Sequence, residues 1–358
     1  MVGLLLVEVG LRIALRGGAI LAYVVPEQPV QAGQWVDHPF LPFAGRPGAE
    51  YDVDGVDRGR HVVARVENNS YGFRAHEFPS ARRPGDYIVV CLGASTTWGA
   101  IAESNAETWP EILERKLQAE YPHRRIRVFN LATQNATVAY SAVVAALVAA
   151  HLEPDLFVVY HGFNDFGPVV APEYRVDHAH HFKDLDIDGM WPGLQRSLPR
   201  WLLSSYALTL VTWRIDERWA PNSLSHFAQR EIGVDDVLLD SHEATVAALE
   251  RNWRHLETVH AIADGMGAQA LFATFQYFDG DARNSVQVNE SLRRVFARRD
   301  LDHVDLDALI ADNDRALQID ECHFTAEGRE LVAAGFFDHI VEHGHVERDA
   351  TPGSPRER

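Results

Sequence analysis

The stretch YIVVCLGASTTWGA, residues 87–100, decides the fold. An apolar run from Tyr87 to Leu92 stops abruptly at Gly93, and a small hydroxyl-rich loop follows with Ser95, Thr96 and Thr97. A short run rich in Val and Ile suits a strand buried on both faces of a parallel sheet. Similar runs recur at 126–131 (IRVFNL), 155–161 (DLFVVYH), 269–275 (QALFATF) and 302–306 (DHVDL). Helical patterns lie between them. Thr108-Trp109-Pro110-Glu111 reads as a capping box with Pro near the helix start, leading into the apolar stripe Ile112, Leu113, Leu117. Residues 137–152 are rich in Ala and Val and stop before Pro154, and residues 242–265 carry Val246, Leu249, Trp253 and Leu256 at helical spacing. Thr325 precedes a helix bearing Val332, Phe336 and Ile340. Strands alternating with helices predict a three-layer α/β fold around a mostly parallel sheet.

The 358 residues, 46% hydrophobic and 23% charged, are enough to bury a sizeable core. A formal charge of −18, from 33 basic and 51 acidic residues, argues against nucleic acid as the main partner. With only Cys91 and Cys322 there is neither a disulfide framework nor a thiolate zinc site. Residues 1–25 read as an apolar membrane-proximal or anchor-like helix, with an ordinary docking helix as the alternative. Glu8, Arg12 and Arg16 interrupt the segment, so neither half spans a bilayer alone. Residues 26–86 read as an irregular extension with a hairpin, and 87–345 as the main domain. Within that domain, about 168–240 form a helical insertion holding Trp191, Trp201, Trp213 and Trp219, and 346–358 form a disordered tail.

In an open α/β sheet, ligands bind beyond the carboxyl ends of the strands. The residues just after the apolar runs are therefore the informative ones: Gly93-Ala94-Ser95-Thr96, then NLATQNAT with Asn130 and Asn135, then GFND with Asn164 and Asp165, then DECH from Asp320 to His323. A serine hydroxyl needs an adjacent base, which His323 can supply. The second imidazole nitrogen needs an acceptor, and Asp320 sits three residues earlier in the same loop. The Ser95 N–H, a backbone N–H near Asn135 and the Asn164 amide are candidate donors to an oxyanion.

In this order the blocks resemble the SGNH (GDSL-type) hydrolases, over about residues 68–342. NNSYGFRAHEFP, residues 68–79, is also similar to a lead-in of bacterial members with an N-terminal membrane anchor. The resemblance implies a flavodoxin-like, three-layer α/β/α domain with a five-stranded sheet, and ester hydrolysis or acyl transfer through an acyl-serine. It assigns Ser95 as nucleophile, Asp320 and His323 as its partners, and Ser95, Asn135 and Asn164 as the oxyanion donors. Two departures stand out. Ala94 precedes Ser95 where many members have Asp, and Asn135 takes the place of a glycine donor, with Ala132 at the earlier, often-Gly position. Asn tolerates a left-handed backbone better than most residues, so its N–H can serve.

The expected activity is that of a serine esterase on a small acyl ester, O-acetyl by expectation, with an acylated carbohydrate as the substrate partner. The alternatives are O-acyl transfer to a polysaccharide and a non-catalytic binding or scaffold protein of the same fold. No cofactor and no metal are expected, nor a nucleic-acid partner. Membrane association through the N-terminus and a place in the cell envelope follow from the resemblance, with the cytoplasm as alternative. GxxxxGK[ST] and GxGxxG are absent, so phosphate and dinucleotide loops drop out. Asp165 is read as a structural carboxylate, Cys322 as a bystander, and His178, His180 and His181 as solvated loop histidines.

Overall fold

The computed structural model describes residues 34–36, 38–57, 60–170, 174–178, 241–277, 282–310 and 316–346. The 1–25 helix, most of the insertion with its four tryptophans, His180, His181 and nearly all of the 346–358 tail lie outside the described residues. The described residues fall into two units. In the first, Trp35 packs edge-on to Phe43 with ring centroids 5.1 Å apart. The second, from Gly45 onward, carries everything below.

It opens with an antiparallel pair, β1 (Glu50–Asp57) and β2 (Arg60–Glu67). There follow β3 (Asp86–Gly93), α1 (Ser95–Trp98), α2 (Trp109–Glu120), β4 (Arg125–Asn130), α3 (Val138–Leu147), β5 (Leu156–Tyr160) and α4 (Phe163–Val170). Then come α5 (His242–Asn252), α6 (Arg254–Gly265), β6 (Gln269–Ala273), α7 (Ala282–Arg299), β7 (His303–Val304), α8 (Leu306–Leu309) and α9 (Ala326–Glu342). The five expected runs form one sheet in the order β4-β3-β5-β6-β7, every neighbouring pair parallel. Counted from β3, this is the 2-1-3-4-5 order of flavodoxin-like folds, whose switch point lies between the first and third strands. Here those are β3 and β5.

β3 and β5 are buried at every residue, as uninterrupted apolar runs require when helices cover both faces. α2 and α9 pack together on one face, where Trp109 stacks on Phe336 with centroids 4.9 Å apart. α3 and α6 cover the other. Among the described residues no helix is long and apolar enough to cross a membrane.

Three local readings differ from the structure. The capping box does not form: Thr108 stands at the N-cap of α2, but its hydroxyl donates to the Asn105 carbonyl at 2.9 Å. Glu111 instead pairs with His76 at 3.0 Å. The helix expected over 242–265 is broken at Trp253. Asn252 and Trp253 are both fully buried there and separately pinned, the first to Asp165 at 3.3 Å and the second through its indole N–H to Ser291 at 2.7 Å. His178 is buried rather than solvated, its Nε2 2.7 Å from Asn252 Oδ1.

The NNSYGFRAHEFP lead-in is tied into the domain by its polar side chains. Asn69 Oδ1 accepts from the N–H groups of Tyr71 and Phe73. Arg74 is fully buried and donates to four acceptors: Asn105 Oδ1 (2.9 Å) and the carbonyls of Gly99 (2.6 Å), Ala102 (2.9 Å) and Arg65 (3.2 Å). Its guanidinium also lies 4.9 Å from the Trp98 ring centre. Burial pulls the Arg74 pKa down to about 10, so it remains charged at neutral pH. One side chain thus joins the hairpin to the turn that ends α1. Arg74→Met strands several buried acceptors and is expected to destabilise the domain by about 2–4 kcal/mol. A urea midpoint unchanged from wild type would contradict that role.

Candidate active site

The backbone places the site before any side chain does. β3 ends at Gly93, where a Cβ would stand 2.1 Å from Thr97 Oγ1 and 2.8 Å from the Tyr160 carbonyl oxygen. Only a glycine lets the strand turn into α1 there, which leaves Ser95 as the first residue of that helix. Gly162 of GFND is similarly enforced, since a Cβ would meet the Phe275 side chain at 2.4 Å.

Ser95, His323 and Asp320 form one hydrogen-bonded chain. His323 Nε2 lies 2.8 Å from Ser95 Oγ, and His323 Nδ1 lies 2.7 Å from Asp320 Oδ2. The other Asp320 oxygen builds the turn, accepting from the N–H groups of Cys322 (3.0 Å) and His323 (2.9 Å). One carboxylate therefore shapes the loop and orients the imidazole. Burial pushes the Asp320 carboxyl up, but the His323 hydrogen bond and charge and the two backbone donors outweigh it, bringing its pKa down to about 2. The loop is closed behind His323 by Thr325, which caps α9 through Gly328 N–H and donates to the Ala316 carbonyl at 2.7 Å. Gly328 belongs to the same closure: a Cβ there would stand 2.4 Å from the Leu317 carbonyl oxygen.

The loops after β3, β4 and β5 are stitched to one another. Asn130 Nδ2 donates to the Thr97 carbonyl at 2.9 Å, and Thr133 N–H to the Gly93 carbonyl at 3.3 Å. Asn164 Nδ2 donates to the Ala136 carbonyl at 3.2 Å, which leaves its second amide hydrogen uncommitted to that contact. Asn135 adopts a left-handed backbone with φ 58°, the conformation Asn was expected to tolerate in place of glycine. Among the described residues, neither the Ser95 N–H nor the Asn135 N–H meets a protein acceptor.

Sequence reasoning missed two further connections. Thr96 Oγ1 donates to the Cys322 carbonyl at 3.3 Å, joining the Ser95 and His323 loops directly. Asp165 is fully buried and accepts from Val138 N–H at 2.8 Å, so it caps α3, not its own helix. His161 Nδ1 lies 3.4 Å from Asp165 Oδ2, and its Nε2 2.7 Å from Ser141 Oγ. Such partners are distant in sequence and leave no periodic signal. Cys322 is buried and its thiol is pushed well up by burial, which suits a bystander.

With this geometry in place, the sequence comparison is decisive: residues 91–331, more than half of the chain, match one family. The chain belongs to the GDSL-like lipase/acylhydrolase family. It is accordingly a carboxylic ester hydrolase. No curated protein is significantly similar in sequence. Solved structures resemble this GDSL-like chain distantly. The lipase/acylhydrolase from Enterococcus faecalis is 16% identical, with TM-score 0.43 over 74% of this chain and all (100%) of that one. An α/β hydrolase from the metagenome of Lake Arreo, Spain, is 16% identical, with TM-score 0.43 over 71% of this chain and 95% of that one. An acetylxylan esterase from Geobacillus stearothermophilus is 15% identical, with TM-score 0.41 over 71% and 94%.

The electrostatics of this site are directly testable. Because the folded pKa of Asp320 is lowered, its contribution to stability is present above the unfolded value near 4 and is lost as pH falls through about 2. A carboxyl carbon NMR titration should therefore find its midpoint near pH 2, and the midpoint should rise in His323→Ala. A midpoint that ignores the substitution would show that the imidazole contact does not hold the charge.

Proposed function

We propose that the protein is a serine esterase that forms an acyl-serine at Ser95. The observation that carries this reading is the Ser95–His323–Asp320 chain, with its two contacts of 2.8 and 2.7 Å. His323 Nε2 takes the hydroxyl proton as Ser95 Oγ attacks the ester carbonyl carbon. The resulting tetrahedral oxyanion is held by the Ser95 and Asn135 N–H groups and by the free hydrogen of the Asn164 amide. Collapse breaks the bond to the alcohol oxygen, which receives the proton from His323. Water then repeats the sequence on the acyl-serine, releasing the acid and restoring the hydroxyl. Asp320 keeps the imidazole in the tautomer whose Nε2 faces Ser95 and stabilises the imidazolium.

The substrate of this reading is a small acyl ester, an O-acetyl group borne by a carbohydrate. Its supports are the resemblance of the four sequence blocks and the tryptophan-rich stretch 191–219. Product analysis with and without a sugar acceptor separates hydrolysis from transfer.

The deciding experiment is labelling with a fluorophosphonate probe followed by peptide mapping. The label is expected on the peptide containing Ser95, and it should be lost in His323→Ala and in Ser95→Ala. No label on the folded wild type would favour a binding protein of the same fold. Asn164→Ala is expected to lower kcat for an acetyl ester by about 100–1000-fold with little change in KM, because an oxyanion donor acts only in the transition state. A rise in KM alone would remove Asn164 from that role.

A further inference from the structure

A second cluster of ionisable side chains lies at the opposite edge of the sheet from Ser95. Asp302 immediately precedes β7, His339 lies in the last turn of α9, and His345 follows the end of that helix. His339 Nε2 is 2.7 Å from Asp302 Oδ1, and His345 Nε2 is 2.9 Å from Asp302 Oδ2. The three donor atoms all fall within 4.8 Å of one another. The His345 ring is held from the sheet: its Nδ1 is hydrogen-bonded to Gln269 Oε1 at the start of β6, and its carbonyl accepts from Tyr87 Oη at 2.8 Å.

The orientation of that ring leaves one buried nitrogen without a hydrogen bond. Gln269 Oε1 can only accept, so Nδ1 is the donor in that contact and Nε2 is the ring nitrogen left on the Asp302 side. His345 is 8% exposed, and its Nε2 makes no hydrogen bond despite the carboxylate oxygen 2.9 Å away. A cation at this point gives that buried nitrogen a partner, and His339 supplies a second imidazole beside it.

We propose that Asp302, His339 and His345 bind one divalent transition-metal ion of the zinc class, which clamps the C-terminal helix to the amino-terminal edge of the sheet. Two imidazole nitrogens and one carboxylate suit zinc and its neighbours, whereas magnesium and calcium take oxygen ligands. Gln269 plays the outer part seen around such ions, fixing the ring through the nitrogen that does not ligate. Tetrahedral ligands at zinc distances stand about 3.3 Å apart, so loading opens the two His–Asp contacts by roughly half an ångström. His343 stacks on His339 with centroids 3.9 Å apart, and its Nδ1 is bonded to the His339 carbonyl at 3.0 Å. It covers the site without joining it.

The test uses the full chain stripped by a chelator and titrated with Zn2+ in a calorimeter. Wild type should bind one equivalent that Asp302→Asn and His345→Gln each weaken at least tenfold and His343→Ala retains. Zn2+ should raise the Tm of wild type but of neither weakened variant. Ester turnover should be the same in all of them without zinc, since none of these residues belongs to the esterase site. Absence of stoichiometric binding overturns the proposal. So does binding that both variants retain, which would place the ion elsewhere, for instance on His323 with loss of turnover. If the variants do not fold, histidine nitrogen NMR of the wild type decides: zinc should shift the Nε2 signals of His339 and His345, and unmoved signals exclude the site.

Discussion

At residue 93 the chain passes so close to Thr97 and to the Tyr160 carbonyl that no side chain fits. That close approach governs the architecture around it. β3, buried throughout and paired on both sides, has to end there and turn at once into a helix. The turn lies at the switch point of the strand order, between β3 and β5, and places Ser95 there. Everything polar in the site is then arranged around a backbone that has little freedom to move.

The polar arrangement works by giving single side chains two tasks. Asp320 shapes its own turn with one oxygen and holds His323 with the other. Asp165 caps the start of α3 while sitting next to Asn164, and Asn164 in turn reaches the Ala136 carbonyl. Asn130 and Thr96 tie the α1 loop to its neighbours on either side. Such sharing makes the loops mutually dependent. It also means that a substitution in one of them propagates, so energies measured one residue at a time will not add.

The fold was legible because parallel strands buried on both faces read as unbroken apolar runs, and all five runs are in the sheet. The left-handed Asn135 was legible for a different reason: few residues other than glycine take that conformation readily, and Asn is one of them. Where a helix breaks was not. Nothing in the spacing of Val246, Leu249, Trp253 and Leu256 says that Trp253 must reach Ser291, because the partner lies on α7. The same holds for Thr108 and Glu111, whose local capping pattern loses to longer-range partners in Asn105 and His76. Arg74 and His178 are the clearest cases. Read singly they look like surface residues, and burial becomes tolerable only through acceptors that tertiary structure supplies.

The hydroxyl of Ser95 and the imidazole of His323 are 228 residues apart along the chain. Synthesis proceeds from the amino terminus at roughly 5–20 residues per second, so the serine is made about ten to fifty seconds before its partner. During that interval the growing polypeptide has the strand, the turn and the hydroxyl, but not the imidazole to which the proposed reading gives the proton. The hydrogen-bonded chain is complete only once the loop carrying Asp320 and His323 has been made. On the proposed reading, an incomplete product of translation is inert towards esters, and the order of the blocks along the chain sets when the serine becomes reactive.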